Sequence, residues 1–375
     1  MHAPSTDPFY ALPVIVPTSR GAVVRARPVS LSGLEPCAAT QIVYTTTATD
    51  AATIPVSGTV LVPEAPWHGP GARPIVSYGV GVHGLGRDNA PSYLLATGAE
   101  WEVGFIDLAL ARGWSVAITD GEGLGMPGPH TYGAGHVGGR AMLDIVRAAV
   151  DGIDGVDGQA PVLLWGYSEG GRCAAWAAEH QPHYARELPL VALAAGGAPT
   201  DLAAVVEAID GGPYSGLGLA VLVGLAHAHA DAGLWEILNP RGRAAAEVAA
   251  TLDVGGLISA HPEPMATWTV RDEPWLHPAW RAVLRAERNP GGTPRVPVYL
   301  YHARGDDIVP ISSARQLAST YQAMGVPVTS VELDSTDHLS GAIEGAADAV
   351  DWLARRLEVY QRRWFDTCDL QGSAS

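Results

Sequence analysis

Apolar residues along this chain fall into short runs whose spacing switches between two periods. The runs at 41–47 (QIVYTTT) and 56–62 (VSGTVLV) are rich in β-branched residues and flank a polar turn, which predicts an antiparallel pair. From residue 74 the pattern becomes strand, Gly-rich loop, helix. Strands are predicted at 74–80, 114–120, 162–166, 188–195, 296–303 and 327–333. Helical spacing is predicted over 106–112, 140–150, from 172 onward, over 312–324 and over 341–360. In the second of these, Met142, Ile145, Val146 and Val150 recur on one face.

Strands alternating with helices predict an α/β fold with a mostly parallel sheet and helices on both faces. One interval breaks the rhythm. Residues 198–295 separate two strands but are far too long for one crossover, and they carry apolar, Gly-rich and Trp-rich stretches of helical character. They are read as a helical cap inserted after the sixth predicted strand. The organisation that follows is an irregular N-terminal arm over 1–40, a core over 41–197 and 296–375, and the cap over 198–295.

Composition narrows the classes. With 47% hydrophobic and 17% charged residues, the chain is neither disordered nor a coiled coil. Its net charge is −16 and all 23 basic residues are Arg, so no basic stripe for nucleic acid is expected. The longest apolar runs, such as 217–226, are near half the ~20 residues that a bilayer span requires. The start, MHAPSTDPFYALP, lacks a basic stretch followed by an apolar one, so no signal peptide is expected in it. Three cysteines, Cys37, Cys173 and Cys368, allow at most one disulfide and lack zinc-site spacing, and no metal or cofactor is expected.

The segment Gly166-Tyr167-Ser168-Glu169-Gly170 fits G-x-S-x-G with a strand before it and a helix after it. That context pushes a serine hydroxyl out at the carboxyl end of a sheet, and the amide groups of the following helix favour a developing negative charge. A serine nucleophile needs a base, and the base needs an orienting carboxylate. In this architecture they follow in the order acid, then histidine. Asp306 and Asp307 both follow the 296–303 strand, and His338 follows the 327–333 strand, so each is a candidate. One oxyanion donor is expected from the N–H of Glu169, after the nucleophile. A second is expected from a Gly-rich loop, either Gly79 to Gly84, which includes His83, or Asp120 to Gly123.

Taken in order, DPFY, SYGVGVHGLGRDNAPS, DGEGLG, GYSEGG, AAGGAPTDL, GGPYSG, YHARGDDIVP and DHLSGA resemble the motifs of the secretory lipase family, of lipase A type. The resemblance runs from about residue 7 to residue 356 and includes the cap. It implies an α/β-hydrolase core, with Ser168 as nucleophile, Asp306 as acid, His338 as base, and His83 contributing to the oxyanion hole through its backbone. It also implies secretion, although the N-terminal segment carries no signal pattern. Some relatives have a Cys where this chain has Asn89, so no disulfide is carried over.

The expected activity is hydrolysis of hydrophobic or lipid esters by a Ser-His-Asp acyl-enzyme route. Transfer of the acyl group to a specific alcohol, and a catalytically silent receptor on the same fold, stand as alternatives. The oligomeric state is left open.

Overall fold

A computed structural model describes residues 1–14 and 19–372, with side chains through residue 362, so Cys368 lies outside the described side chains. A single nine-stranded sheet organises the chain, in the order β1-β2-β3-β5-β4-β6-β7-β8-β9. The strands are β1 (Val23–Val29), β2 (Cys37–Thr47), β3 (Thr53–Pro63), β4 (Ile75–Gly79), β5 (Ser115–Gly121), β6 (Val162–Tyr167), β7 (Leu190–Gly196), β8 (Val298–Ala303) and β9 (Val328–Leu333). β1, β2, β3 and β5 pair antiparallel, and every pair from β5 through β9 is parallel. This is the mostly parallel α/β sheet that the alternating pattern predicts.

The arm is not irregular. Its residues 23–29 form β1 at the sheet edge, paired with β2, which itself begins four residues before 41. The sequence VVRARPV hides a strand because an edge strand keeps charges and proline that an inner strand excludes. Arg27 is held there by Asp7, at 2.8 Å, and lies over the Phe9 ring. The extra strand makes β7, rather than a sixth strand, the one before the cap.

Helices cover both faces. Along β6 the side chains alternate: Val162 and Leu164 join the layer beneath α3 (Gly135–Gly152), α4 (Glu169–Tyr184) and α10 (Ile311–Ala323), while Leu163 and Trp165 join the layer beneath α1 (Pro91–Thr97), α2 (Val103–Leu110) and α11 (His338–Gly372). α1 has no counterpart among the predicted helices; it is a short helix of about two turns opened by Pro91. Between β7 and β8 the chain forms α5 (Leu202–Ile209), α6 (Ser215–Ala228), α7 (Pro240–Ala249), α8 (Val254–Ala260) and α9 (Pro278–Ala286), which bury a separate apolar cluster around Leu219, Leu222, Trp268 and Trp280. Among the described residues, no helix is long and apolar enough to cross a membrane.

The closest approach in the core is between glycines. A Cβ placed on Gly170, in the first turn of α4, would run into the carbonyl of Gly79 at the end of β4, and one on Gly166 would meet the backbone of Gly170. Three glycines therefore let α4 press against the sheet directly behind Ser168. Gly170→Ala should lose about 1–3 kcal/mol or more by overpacking. Gly104→Ala, at an exposed helical position with nothing within 4 Å, should instead gain about 0.5–1 kcal/mol. Urea unfolding of both variants checks the pair; equal stabilities would contradict the packing argument.

Candidate active site

Ser168 stands between β6 and α4 with φ 56° and ψ −128°, one of two non-glycine positive-φ residues among the described ones. That backbone is sparsely populated and costs on the order of 1–3 kcal/mol. It turns the chain sharply from strand to helix, and the serine hydroxyl makes no capping hydrogen bond to the helix it opens. The N–H of Glu169 opens α4 and, as a first-turn amide, has no partner within the helix.

Asp306 follows β8, and its side chain is fully buried. Its Oδ1 accepts the N–H groups of Ile308, at 3.0 Å, and Val309, at 2.7 Å. Its Oδ2 accepts from His338 Nδ1 at 2.7 Å and lies 3.2 Å from His302 Nε2. Burial alone would raise this carboxyl, but the hydrogen bonds from His302 and His338 hold it well below the usual carboxylate range. His338 begins α11; with Nδ1 committed to Asp306, its buried Nε2 has no partner among the described residues. Asp307, the rival acid, faces elsewhere: it accepts the His338 N–H at 3.0 Å and the Tyr214 hydroxyl at 3.1 Å.

Ser168 and His338 line one cavity of about 450 Å³. Its polar end also holds Glu102, Asp307 and Asp337, while Leu202, Val205 and Ile209 of α5, Leu217 and Val221 of α6, and Val254 and Ile258 of α8 make the cap side apolar. Among the apolar residues of the cap, Leu217 and Ile258 reach this cavity, whereas Leu234, Leu238 and Leu257 pack in the cap's own cluster.

Of the two Gly-rich loops, Gly81 and Val82 of the first line the Ser168 cavity, and the Asp120–Gly123 segment does not. Asp120 is occupied in holding Ser57 and Ser92, and burial pushes its carboxyl up to about 6. His83 does not line the Ser168 cavity. Its imidazole is buried between the Gly81 carbonyl, 2.8 Å from Nδ1, and Glu100, 2.8 Å from Nε2, beside a smaller cavity of about 70 Å³. Glu100, Glu102 and His302 were not singled out in the sequence. The GAEWE stretch fits no motif; His302, four residues before Asp306, carried the only available signal, a buried-strand histidine at a fixed offset from the acid.

A family model described as secretory lipase matches residues 89–257 and 282–362. A secreted triacylglycerol lipase of Malassezia furfur is 27% identical over 289 residues, covering 72% of this chain and 73% of that protein. A protein named probable inactive lipase, from Mycobacterium tuberculosis, is 30% identical over 378 residues, covering 94% of this chain and 82% of that one. The crystal structure of Candida antarctica lipase A in its closed state superposes with a TM-score of 0.85 at 25% identity, covering 96% of this chain and 87% of that one.

Burial opposes a charge on His83, but the Glu100 carboxylate outweighs it and raises the imidazole from 6.5 to about 9. A raised histidine stabilises the fold fully below its unfolded value and loses that contribution as pH climbs through its folded value. The melting-temperature advantage of the wild type over His83→Gln should therefore be greatest below pH 6.5 and shrink as pH rises through 9. A pH-independent difference would show that the pair is not ionised.

Proposed function

The chain belongs to the secretory lipase family, and on that premise we propose that it hydrolyses hydrophobic carboxylic esters through an acyl-enzyme on Ser168. The observation that carries this reading is the Asp306–His338 hydrogen bond. It commits Nδ1–H of the imidazole to the acid and leaves Nε2 as a base in the cavity that holds Ser168.

Ser168 Oγ attacks the ester carbonyl carbon while its proton passes to His338 Nε2. The carbonyl oxygen becomes an oxyanion beside the Glu169 N–H and a second amide from the Gly81–His83 stretch. Collapse of that intermediate breaks the bond to the alcohol, which leaves with the proton from His338. A water then gives its proton to the same nitrogen and attacks the acyl carbon; collapse of that second intermediate breaks the acyl–Oγ bond, the proton on His338 returns to Ser168 Oγ, and the acid leaves. Asp306 stays ionised throughout, holding the tautomer and stabilising the imidazolium. The Malassezia relative is named a triacylglycerol lipase, and the apolar wall from α5, α6 and α8 suits an acyl chain, so the substrate class proposed is a lipid or other long-chain ester.

The Mycobacterium relative named as probably without activity makes a silent fold the reading to test against. Ser168→Ala should abolish both ester turnover and labelling by a fluorophosphonate, with the circular dichroism unchanged. Asp306→Asn should lose about 10⁴-fold in kcat through the wrong histidine tautomer, and Asp307→Asn far less. A wild-type chain that neither turns over p-nitrophenyl esters nor takes the label would leave the silent reading standing. Product analysis with water and an alcohol in competition separates hydrolysis from acyl transfer.

Gly218 is not the position to probe chain length, because a side chain there meets Met265 and Val206 in the cap interior. Val221, buried on the same helix, lines the cavity. Val221→Trp should lower kcat/KM for p-nitrophenyl laurate by at least about tenfold relative to the butyrate. An equal loss on both esters, tracking a lower melting temperature, would assign Val221 to packing alone.

A further inference from the structure

The loop before the cavity is built around one residue, Gly81, whose N–H and carbonyl belong to the two peptide groups that flank it and are both held by buried ionisable side chains. The Gly81 N–H donates to Glu102 Oε1 at 2.7 Å, and the Gly81 carbonyl accepts from His83 Nδ1 at 2.8 Å. His83 Nε2 meets Glu100 Oε2 at 2.8 Å, and Glu100 Oε1 accepts the backbone N–H of Glu102 at 2.9 Å, which closes a ring. Glu102 Oε2 accepts from the Tyr78 hydroxyl. His83, Glu100 and Glu102 are 5%, 4% and 1% exposed. Burying so much ionisable character is costly unless each group is paired, and here each is.

The Gly81 carbonyl can only accept, so His83 Nδ1 carries a proton; with Nε2 facing Glu100, which raises the imidazole to about 9, the ring is an imidazolium donor on two sides at neutral pH. The Gly81–Val82 peptide is trans, so its carbonyl and the Val82 N–H point in opposite directions. With the carbonyl drawn to His83, the Val82 N–H faces away from His83. Among the described residues no protein group accepts it. Val82 lines the cavity with Ser168, and a Cβ on Gly81 would lie 3.9 Å from the Ser168 Cβ. A glycine peptide rotates easily; rotated, it would present a carbonyl oxygen where the oxyanion forms.

We propose that Glu102, His83 and Glu100 are positioning residues that clamp Gly81 on both sides, so that the N–H of Val82, rather than that of His83, is the second oxyanion donor beside Glu169. The clamp rests on the ester-hydrolase reading of Ser168. Glu102 fixes the Val80–Gly81 peptide by its N–H, the imidazolium fixes the Gly81–Val82 peptide by its carbonyl, and Glu100 ties the two holders together, so both backbone torsions of Gly81 are set.

The test pairs kinetics on p-nitrophenyl butyrate with inhibition by an alkyl trifluoromethyl ketone, which forms a tetrahedral adduct carrying the oxyanion. Glu102→Gln keeps an acceptor for Gly81 and a donor for Tyr78, and should retain at least about a third of kcat. Glu102→Ala and His83→Phe each release one of the two peptide groups that flank Gly81. Both should lower kcat by about 10- to 100-fold, up to the range for a lost oxyanion donor, with KM within threefold and ketone affinity reduced by the same factor. Wild-type protein labelled with [15N]valine and [15N]histidine needs no variant to fold: adduct formation should move the Val82 amide proton strongly downfield and leave that of His83 nearly in place. A Glu102→Ala variant within twofold of wild type, ketone affinity unchanged while kcat falls, or a downfield shift on His83 instead of Val82 would overturn the clamp. Loss of ester turnover and of Ser168 labelling in the wild type would instead overturn the function beneath it.

Discussion

Ser168 must hold a positive φ, and the rest of the core is shaped by that requirement. No side chain of its type favours this conformation, so the surroundings must fix it from several directions at once. Its N–H donates to the Gly196 carbonyl of β7 at 2.8 Å, and its carbonyl accepts from the Arg172 N–H at 3.0 Å. Behind it, Gly166 and Gly170 allow α4 to come down onto β4 without side chains between them. The strained residue is therefore anchored to β7 by its N–H and to α4 by its carbonyl, which fixes the backbone that carries the hydroxyl before any ligand arrives. Pre-positioning of this kind is what lowers the entropic cost of bringing a nucleophile to a carbonyl.

The acid side of the site answers a different constraint. A buried carboxylate needs enough donors to stay ionised, and Asp306 has two backbone amides on one oxygen and two imidazoles facing the other. His302 also lies 2.9 Å from the Val309 carbonyl, an acceptor that requires the proton on Nε2. One histidine thus buttresses the acid from within β8 while the other remains free to exchange protons at the cavity. Asp307, one residue along, binds the His338 backbone and Tyr214 of the cap, tying the segment before α6 to the start of α11.

The legible part of the sequence is the part whose physics is local. Strand–turn–helix spacing marked β4 through β9, and Ser168, Asp306 and His338 follow strand ends, where the pattern itself announces a loop. β1 was missed because Arg25, Arg27 and Pro28 are tolerated only at an edge, and an edge is a property of the finished sheet. Glu100 and Glu102 were missed for the same kind of reason: each has a partner about 20 residues away in sequence, His83 for one and Gly81 for the other, and nothing in GAEWE signals that pairing. Helical spacing in the cap predicts helices but not their facing: Leu217 and Gly218 are adjacent in one apolar run, yet one meets the cavity and a side chain on the other would meet Met265.

The cavity combines two supplies of surface that the chain keeps apart. Strand ends deliver the polar groups, because loops at the carboxyl edge of a parallel sheet are where side chains escape packing. The sheet offers little apolar wall above that edge, so the wall must come from an insertion, and α5, α6 and α8 provide it. The match to the family spans 89–257 and 282–362, which hold Ser168, Asp306 and His338, and leaves out 258–281 within the cap as well as the first 88 residues. The glycines and buried carboxylates of the core answer to the strained serine and its acid, and the cap answers to whatever chain must lie against it. A single scaffold can accommodate different esters in this way, because shape and chemistry are carried by separate stretches of sequence.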